Sequence, residues 1–219
     1  MLVARLVGPS GEVVGVERDR RSVARASTRM AQVGLNNIQF VQADVRSFES
    51  AMTFDAVVGR MILQFVPDPP SVLRSLSRLV RAGGIVAFQE ASFRPLVVLC
   101  AHLPLWSAVT ALIEKTMRLS GANTEIGLDL HGFFQEAGLP APSARMEILL
   151  GSDLEFIRLV ADVLRSLRTR QPQTVDALSA TELGDLDTLV ARLHAEIVAS
   201  RGVVPFVGLV GAWSQKPTN

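Results

Sequence analysis

Cysteine is nearly absent from this sequence, with Cys100 standing alone. One thiol excludes an internal disulfide framework and a cysteine metal cluster, which fits a reducing, cytoplasmic setting. Lysine is almost as scarce: Lys115 and Lys216 are the only two, so nearly all positive charge is Arg and there is no lysine-rich patch. The 22 basic and 21 acidic residues leave a formal net charge of +1. No overall field therefore draws nucleic acid or an anionic membrane. The N-terminus lacks a basic start, a following apolar run and a small-residue cleavage site, so nothing marks the chain for export. Long apolar runs are missing too. Pro95 to Ile113 comes nearest, but it carries His102, Ser107 and Thr110 and has Pro104 near its middle. A membrane span takes about 20 residues without such interruptions, so a buried or lid helix is expected. Repeats and low-complexity tracts are absent.

What is present is apolar and ordered. With 219 residues and 48% hydrophobic content, the chain can bury one core, or one domain with an inserted helical part. "EVVGVE" (Glu12 to Glu17) is apolar on both faces, as a central parallel strand requires. A helix is predicted from Arg20 to about Val33, with Gly34 as its stop. Strands follow at Ile38 to Asp44 and Phe54 to Arg60. After "VPDPP" a helix is predicted over Ser71 to Val80, broken by "AGG" before a strand at Ile85 to Glu90. Strands and helices alternating at this pitch imply parallel strands joined by crossovers, hence an open α/β sheet.

The second half is mainly helical. Helices are expected over Pro95 to Ser120, Leu128 to Ala137, Asp153 to Arg168 and Ala180 to Ser200. Ser179 and Glu182 stand at capping-box spacing before the last of these. Two late strands, Ser143 to Gly151 and Val204 to Lys216, complete the expectation. The chain thus divides into a sheet core (1–94), a helical cap (95–142) and late strands with a second helical insertion (143–219), within a single domain overall.

In open parallel sheets, ligands sit at the carboxyl ends of strands. Those ends here carry Glu17, Asp44, Arg60 and Glu90. A carboxylate ending a strand can accept from both hydroxyls of a ribose, and another can accept from an adenine amino group. Such acids can equally be solvated residues or helix caps. Together, "VVGVERD", "IQFVQADV" and "FDAVVGRMILQFVPDPPSVLRSLSRLVRAGGIVAFQE" resemble the core of class I S-adenosylmethionine-dependent methyltransferases acting on small molecules. The likeness runs from about Leu2 to Glu90, and more loosely through Leu128 to Gly151 and Phe206 to Gln215.

The resemblance implies an open, mostly parallel Rossmann-like methyltransferase sheet with helical insertions forming a cap, and S-adenosyl-L-methionine as cofactor. It assigns Glu17 to the ribose hydroxyls with Arg18 flanking the adenine, Asp44 and the Val45 backbone to the adenine edge, and Arg60 and Met61 to the methionine part. Glu90 would face either the substrate pocket or a helix N-terminus. In-line displacement from a sulfonium needs no metal. A general base helps with some acceptors, and the candidates are Glu90, His102 and His131; for both histidines a packing or surface role is the competing reading. An apolar lining from Leu99, Leu103, Trp106, Val109, Leu112, Ile113 and Met117, with Phe133 and Phe134 near, would suit an apolar small-molecule acceptor. Helix core or a homodimer contact explains the same residues. His194, with Arg192 and Glu196, reads as a solvated face.

The family places a first strand and a D-x-G-x-G-x-G turn ahead of the helix leading into "GPSGEVVGVE". Neither is found here, so the expectation is an N-terminally shortened enzyme lacking the first central strand. Two other readings stay open: a methyltransferase-like binding or partner protein without catalysis, and a nicotinamide-dependent oxidoreductase. The second also lacks its G-x-G-x-x-G fingerprint.

Overall fold

A computed structural model describes residues 1–218, with the side chains of residues 178–182 outside the description. The chain forms two compact units, Met1–Thr53 and Phe54 to the C-terminus.

In the first unit, helix α1 (Leu2–Leu6) precedes strand β1 (Val13–Glu17), helix α2 (Arg20–Gln32) and strand β2 (Ile38–Gln42). Strands β1 and β2 pair in parallel from Val13↔Ile38 to Glu17↔Gln42. Helix α2 begins where the sequence gives it a cap: the Asp19 carboxylate accepts from Arg21 N and Ser22 N. It ends where Gly34 takes φ 69°, a left-handed angle that costs glycine no Cβ clash. One side chain ties the unit together. Asn37 Nδ2 donates to the carbonyls of Ala4, Gly8 and Gly11, at 2.8, 2.9 and 3.2 Å.

The second unit opens with β3 (Phe54–Arg60), one 3₁₀ turn (Leu63–Phe65), helix α3 (Pro69–Arg78) and strand β4 (Val80–Ser92). Helices α4 (Arg94–Leu99), α5 (Pro104–Leu119) and α6 (Ile126–Glu136) follow, then strands β5 (Ser143–Glu147) and β6 (Leu150–Gly151). Helices α7 (Leu154–Arg170), α8 (Pro172–Glu182) and α9 (Leu189–Ser200) precede the closing strands β7 (Val204–Pro205) and β8 (Gly208–Gln215). The main sheet has the order β3-β4-β8-β5. Strands β3 and β4, joined by α3, are parallel, while β8 runs antiparallel to both β4 and β5. Both crossover-linked pairs in the chain are parallel, as the alternation predicted, and the α/β class stands.

Several expectations shift in detail, among them the last strand, Val204 to Lys216, which splits into β7 and β8. Helix α3 starts at Pro69, because Asp68 caps Ser71 N and proline is tolerated in a first turn, where its missing N–H has no partner to lose. It ends before Val80, which starts β4. "AGG" does not interrupt the chain between elements but lies inside β4. Gly83 there has φ 71°, and the β3 register shifts opposite it between Phe54 and Ala56, the geometry of a bulge. Ser143 to Gly151 splits into β5 and β6, which pair with different strands. The last long helix begins at Leu189 rather than Ala180, since Gly184 at φ 62° breaks the segment and 172–182 forms α8. The Ser179–Glu182 capping box lies outside the described residues.

Helices α4, α5, α7, α8 and α9 pack into one core together with Ala91 of β4, Val204 of β7 and Leu209 of β8. Leu103, Trp106, Val109, Leu112, Ile113 and Met117 pack there with Ile157, Leu164, Leu193 and Ile197. Trp106 stacks on Phe156 with ring centroids 6.4 Å apart and donates Nε1–H to the Pro205 carbonyl. Among the residues expected to line a substrate pocket, these six are packed core; only Leu99 is exposed. Their spacing was compatible with either role, and the packing partners from α7 and α9, distant in sequence, decide it. Among the described residues, no helix is long and apolar enough to cross a membrane.

Candidate functional site

In the first unit the ends of β1 and β2 bring Glu17 and Asp44 onto the same edge, with Ala43 N–H donating to the Glu17 carbonyl. Glu17 Oε1 accepts from Asp19 N–H at 2.8 Å. Its Oε2 has no partner among the described residues and is available to a hydroxyl. Asp44 is occupied differently. Its Oδ1 accepts from Arg46 N and Nε, both at 2.9 Å, and its Oδ2 accepts from Arg46 Nη2 at 2.6 Å. The side-chain bonds to Arg46 hold the Asp44 carboxyl down at about 2. A carboxylate has about four acceptor positions. Three are used, so one remains on Oδ2 for an amino N–H. The Arg18 carbonyl accepts from Gln42 Nε2 at 3.4 Å, which fixes its backbone beside Glu17, and Val45 is half-buried in the turn after Asp44.

In the second unit the corresponding strand ends carry Arg60, Met61 and Glu90. Arg60 is exposed, and its Nε donates to Gln89 Oε1 at 2.8 Å. Met61 N–H donates to the Gln89 carbonyl, and Met61 itself has φ 56°, an uncommon angle for a residue with a Cβ. Glu90 is wholly buried. Its Oε1 accepts from Ile62 N at 3.0 Å and Leu63 N at 2.9 Å, and burial pushes the carboxyl above the ordinary carboxylate range despite these donors and the nearby Gln64 backbone N–H. Of the two placements open to Glu90, the structure thus shows the helix N-terminus, that of the 3₁₀ turn.

The histidine candidates are not brought to this edge by any contact. His102 is exposed in the turn before α5 and His131 is exposed on α6; neither imidazole has a hydrogen-bond partner among the described residues. Beside the 3₁₀ turn there is a cavity of about 450 Å³, lined by Gln64, Asp68, Pro69, Asn123, Phe133 and Glu136 among others. Its walls mix carboxylates and amides with proline and phenylalanine rings.

Three polar residues with structural weight were not singled out from sequence, or were misread. Glu125 accepts from Ser92 Oγ and Phe93 N, closing the turn after β4. Gln64 is buried in the 3₁₀ turn. Glu196, expected to be solvated, caps α5 from another helix: its two oxygens accept from Leu105 N at 2.7 Å and Trp106 N at 2.9 Å. A signal for it did exist. The residue before Pro104 is Leu103, which has no capping side chain, so the first N–H groups of α5 had to find an acceptor elsewhere.

Residues 1–138 match the family described as a methyltransferase domain. A demethylmenaquinone methyltransferase from Bacillus cytotoxicus is 30% identical over 150 residues, which is 63% of this chain and 63% of that protein. The chain therefore spans less than two thirds of that relative's length. Among solved structures, the [4+2]-cyclase SpnF superposes with a TM-score of 0.53 at 17% identity, covering 100% of this chain and 71% of that one. The YcgJ protein of Bacillus subtilis gives 0.54 at 15% identity, covering 95% and 83%. At these identities the structures share the fold.

Proposed function

Because the chain belongs to the class I S-adenosylmethionine-dependent methyltransferase family, we propose that it binds S-adenosyl-L-methionine and transfers its methyl group to a small molecule. The observation that carries this reading is the free Oε2 of Glu17 at the end of β1, next to an Asp44 that keeps one acceptor position. Those groups fit a nucleoside: Glu17 accepts from the ribose, Arg18 flanks the adenine, and Asp44 with the Val45 backbone meets the adenine edge. The family resemblance assigns Arg60 and Met61 to the methionine part. When bound, the cofactor supplies a methyl group on a sulfonium. The chain's own work is to hold, align and dehydrate the reacting groups. A quinol-like acceptor is supported by the relative named for demethylmenaquinone.

Calorimetric titration with S-adenosylhomocysteine tests the reading. Loss of a hydrogen bond to a charged group costs about 1.5–3 kcal/mol, so Glu17→Ala should weaken binding by about 10- to 100-fold. Binding unchanged in that variant would refute the assignment. A second reading, a family member that binds without catalysing transfer, is favoured by the general-base candidates: Glu90 is spent on a backbone cap, and both histidines are exposed, with no hydrogen-bond partner among the described residues. Affinity for S-adenosylhomocysteine with no labelled methyl transferred to dihydroxybenzene or naphthoquinol acceptors would select it.

A further inference from the structure

The turn after β3 carries more constraint than a loop connection needs. Met61 sits in the left-handed region at φ 56°, where a side chain bearing Cβ is crowded, and such strain persists only when its surroundings hold it. Both flanks are pinned by the neighbouring strand. Before the kink, Met61 N–H bonds the Gln89 carbonyl at 2.9 Å; after it, Ile62 N–H and Leu63 N–H converge on Glu90 Oε1. Consecutive residues of β4 therefore grip the two sides of one strained residue. Glu90 is 0% exposed, a burial that carboxylates rarely accept without a dedicated purpose.

The turn also holds two unpaired atoms, Glu90 Oε2 and Gln64 Oε1, both shut off from solvent. Buried polar atoms are normally paired, and two acceptors in one turn call for a donor. A protonated Glu90 provides one, since its O–H then lies on Oε2 while Oε1 goes on accepting from the backbone. Burial favours that neutral form.

We propose that Glu90 is a positioning residue, which holds Met61 in its left-handed conformation through the N–H groups of Ile62 and Leu63 and so sets the affinity for the cofactor. This rests on the reading that Arg60 and Met61 line the methionine part of S-adenosylmethionine. Glu90 acts through the turn and needs no contact with substrate. Glutamine should replace it, because one amide oxygen accepts from both N–H groups and the amide nitrogen supplies the missing donor. Leucine should not, having the size but neither function.

Amide exchange at Ile62 and Leu63 and titration with S-adenosylhomocysteine, both on the full chain, test the two halves separately. Glu90→Gln should stay within threefold of the parent in both. Glu90→Leu should lose at least 30-fold in amide protection and at least tenfold in affinity, with Trp106 fluorescence unchanged to show that the helical core stays folded. Met61→Gly gives the readout that a purely structural role would not move. Glycine adopts φ 56° unaided, so in that background the affinity lost by Glu90→Leu should shrink below threefold. Full protection of both amides in Glu90→Leu overturns the clamp, and so does an affinity loss that Met61→Gly leaves intact. A parent chain that binds no S-adenosylhomocysteine overturns the functional reading and the cofactor half of the proposal, while the exchange rates still judge the clamp.

Discussion

Removing the Glu196 carboxylate should unfasten the start of α5. That helix has Pro104 in its first turn and Leu103 in the capping position, so no local side chain accepts from its first N–H groups. Glu196 accepts two of them, from Leu105 and Trp106, and its negative charge lies at the positive end of the helix dipole. Losing an N-cap costs about 1 kcal/mol, and hydrogen bonds to a charged group are worth about 1.5–3 kcal/mol. Taken as overlapping rather than additive, they place Glu196→Ala at about 2–3 kcal/mol. Glu196→Gln, which keeps one acceptor oxygen, should cost about half. At about 2–4 °C per kcal/mol for a chain of this size, the alanine variant should melt about 4–12 °C lower. Fluorescence suits the assay, since Trp106 lies in the helical core and the other tryptophan, Trp213, is exposed on the sheet. In a Trp213→Phe background the signal reports that core alone. Glu196 is also the second cause, after burial, that lifts the Cys100 thiol to about 11. Thiolate absorbance should therefore appear at lower pH in Glu196→Gln. An alanine variant within 0.5 kcal/mol of its parent would refute the capping argument.

Two further outcomes are expected. A Cβ at Gly127 on α6 would lie 2.9 Å from the Ala91 carbonyl and 3.0 Å from that of Glu90, so Gly127→Ala must push the helix off β4; urea unfolding should show a loss of about 1–3 kcal/mol, and an unchanged midpoint would deny the close approach. For Asp44, the folded value of about 2 lies below the unfolded value of about 3.9, so the Arg46 pairing contributes above pH ~3.9 and is lost as pH falls through about 2. The pair lies at the surface, with Arg46 exposed and Asp44 half-buried, so its effect on global stability is small, and carboxyl NMR titration is the sensitive check: Arg46→Ala should return the midpoint toward the ordinary range, and an unmoved midpoint would remove Arg46 as the cause.

Much of the molecule was legible before folding was considered. Strand β3 was placed residue for residue, and β1, α2 and β2 to within two, because each is an apolar run of the right length bounded by a local signal: Asp19 as cap, Gly34 as stop, acids at strand ends. Local signals misled where a contact partner overrode them. "AGG" carries the signature of a break, yet it continues β4 because the residues just after the last strand hydrogen-bond to it: Lys216 N–H bonds the Gly84 carbonyl and Gly83 N–H bonds that of Pro217. The apolar positions of α5 had the same spacing whether they lined a pocket or filled a core. Only α7, α8 and α9, arriving 40 to 80 residues later, show that they fill a core.

For the candidate site the division is similar. That Glu17 and Arg60 end strands, and that Asp44 and Glu90 stand within two residues of a strand end, follows from apolar periodicity and chain direction, which are properties of the sequence by itself. What each carboxylate does there was decided by the tertiary structure, since a carboxylate's role depends on which donors come within 3 Å and on how much water remains. Glu17 keeps a free oxygen, Asp44 is largely taken by Arg46, and Glu90 is dehydrated against backbone N–H groups from across the sheet.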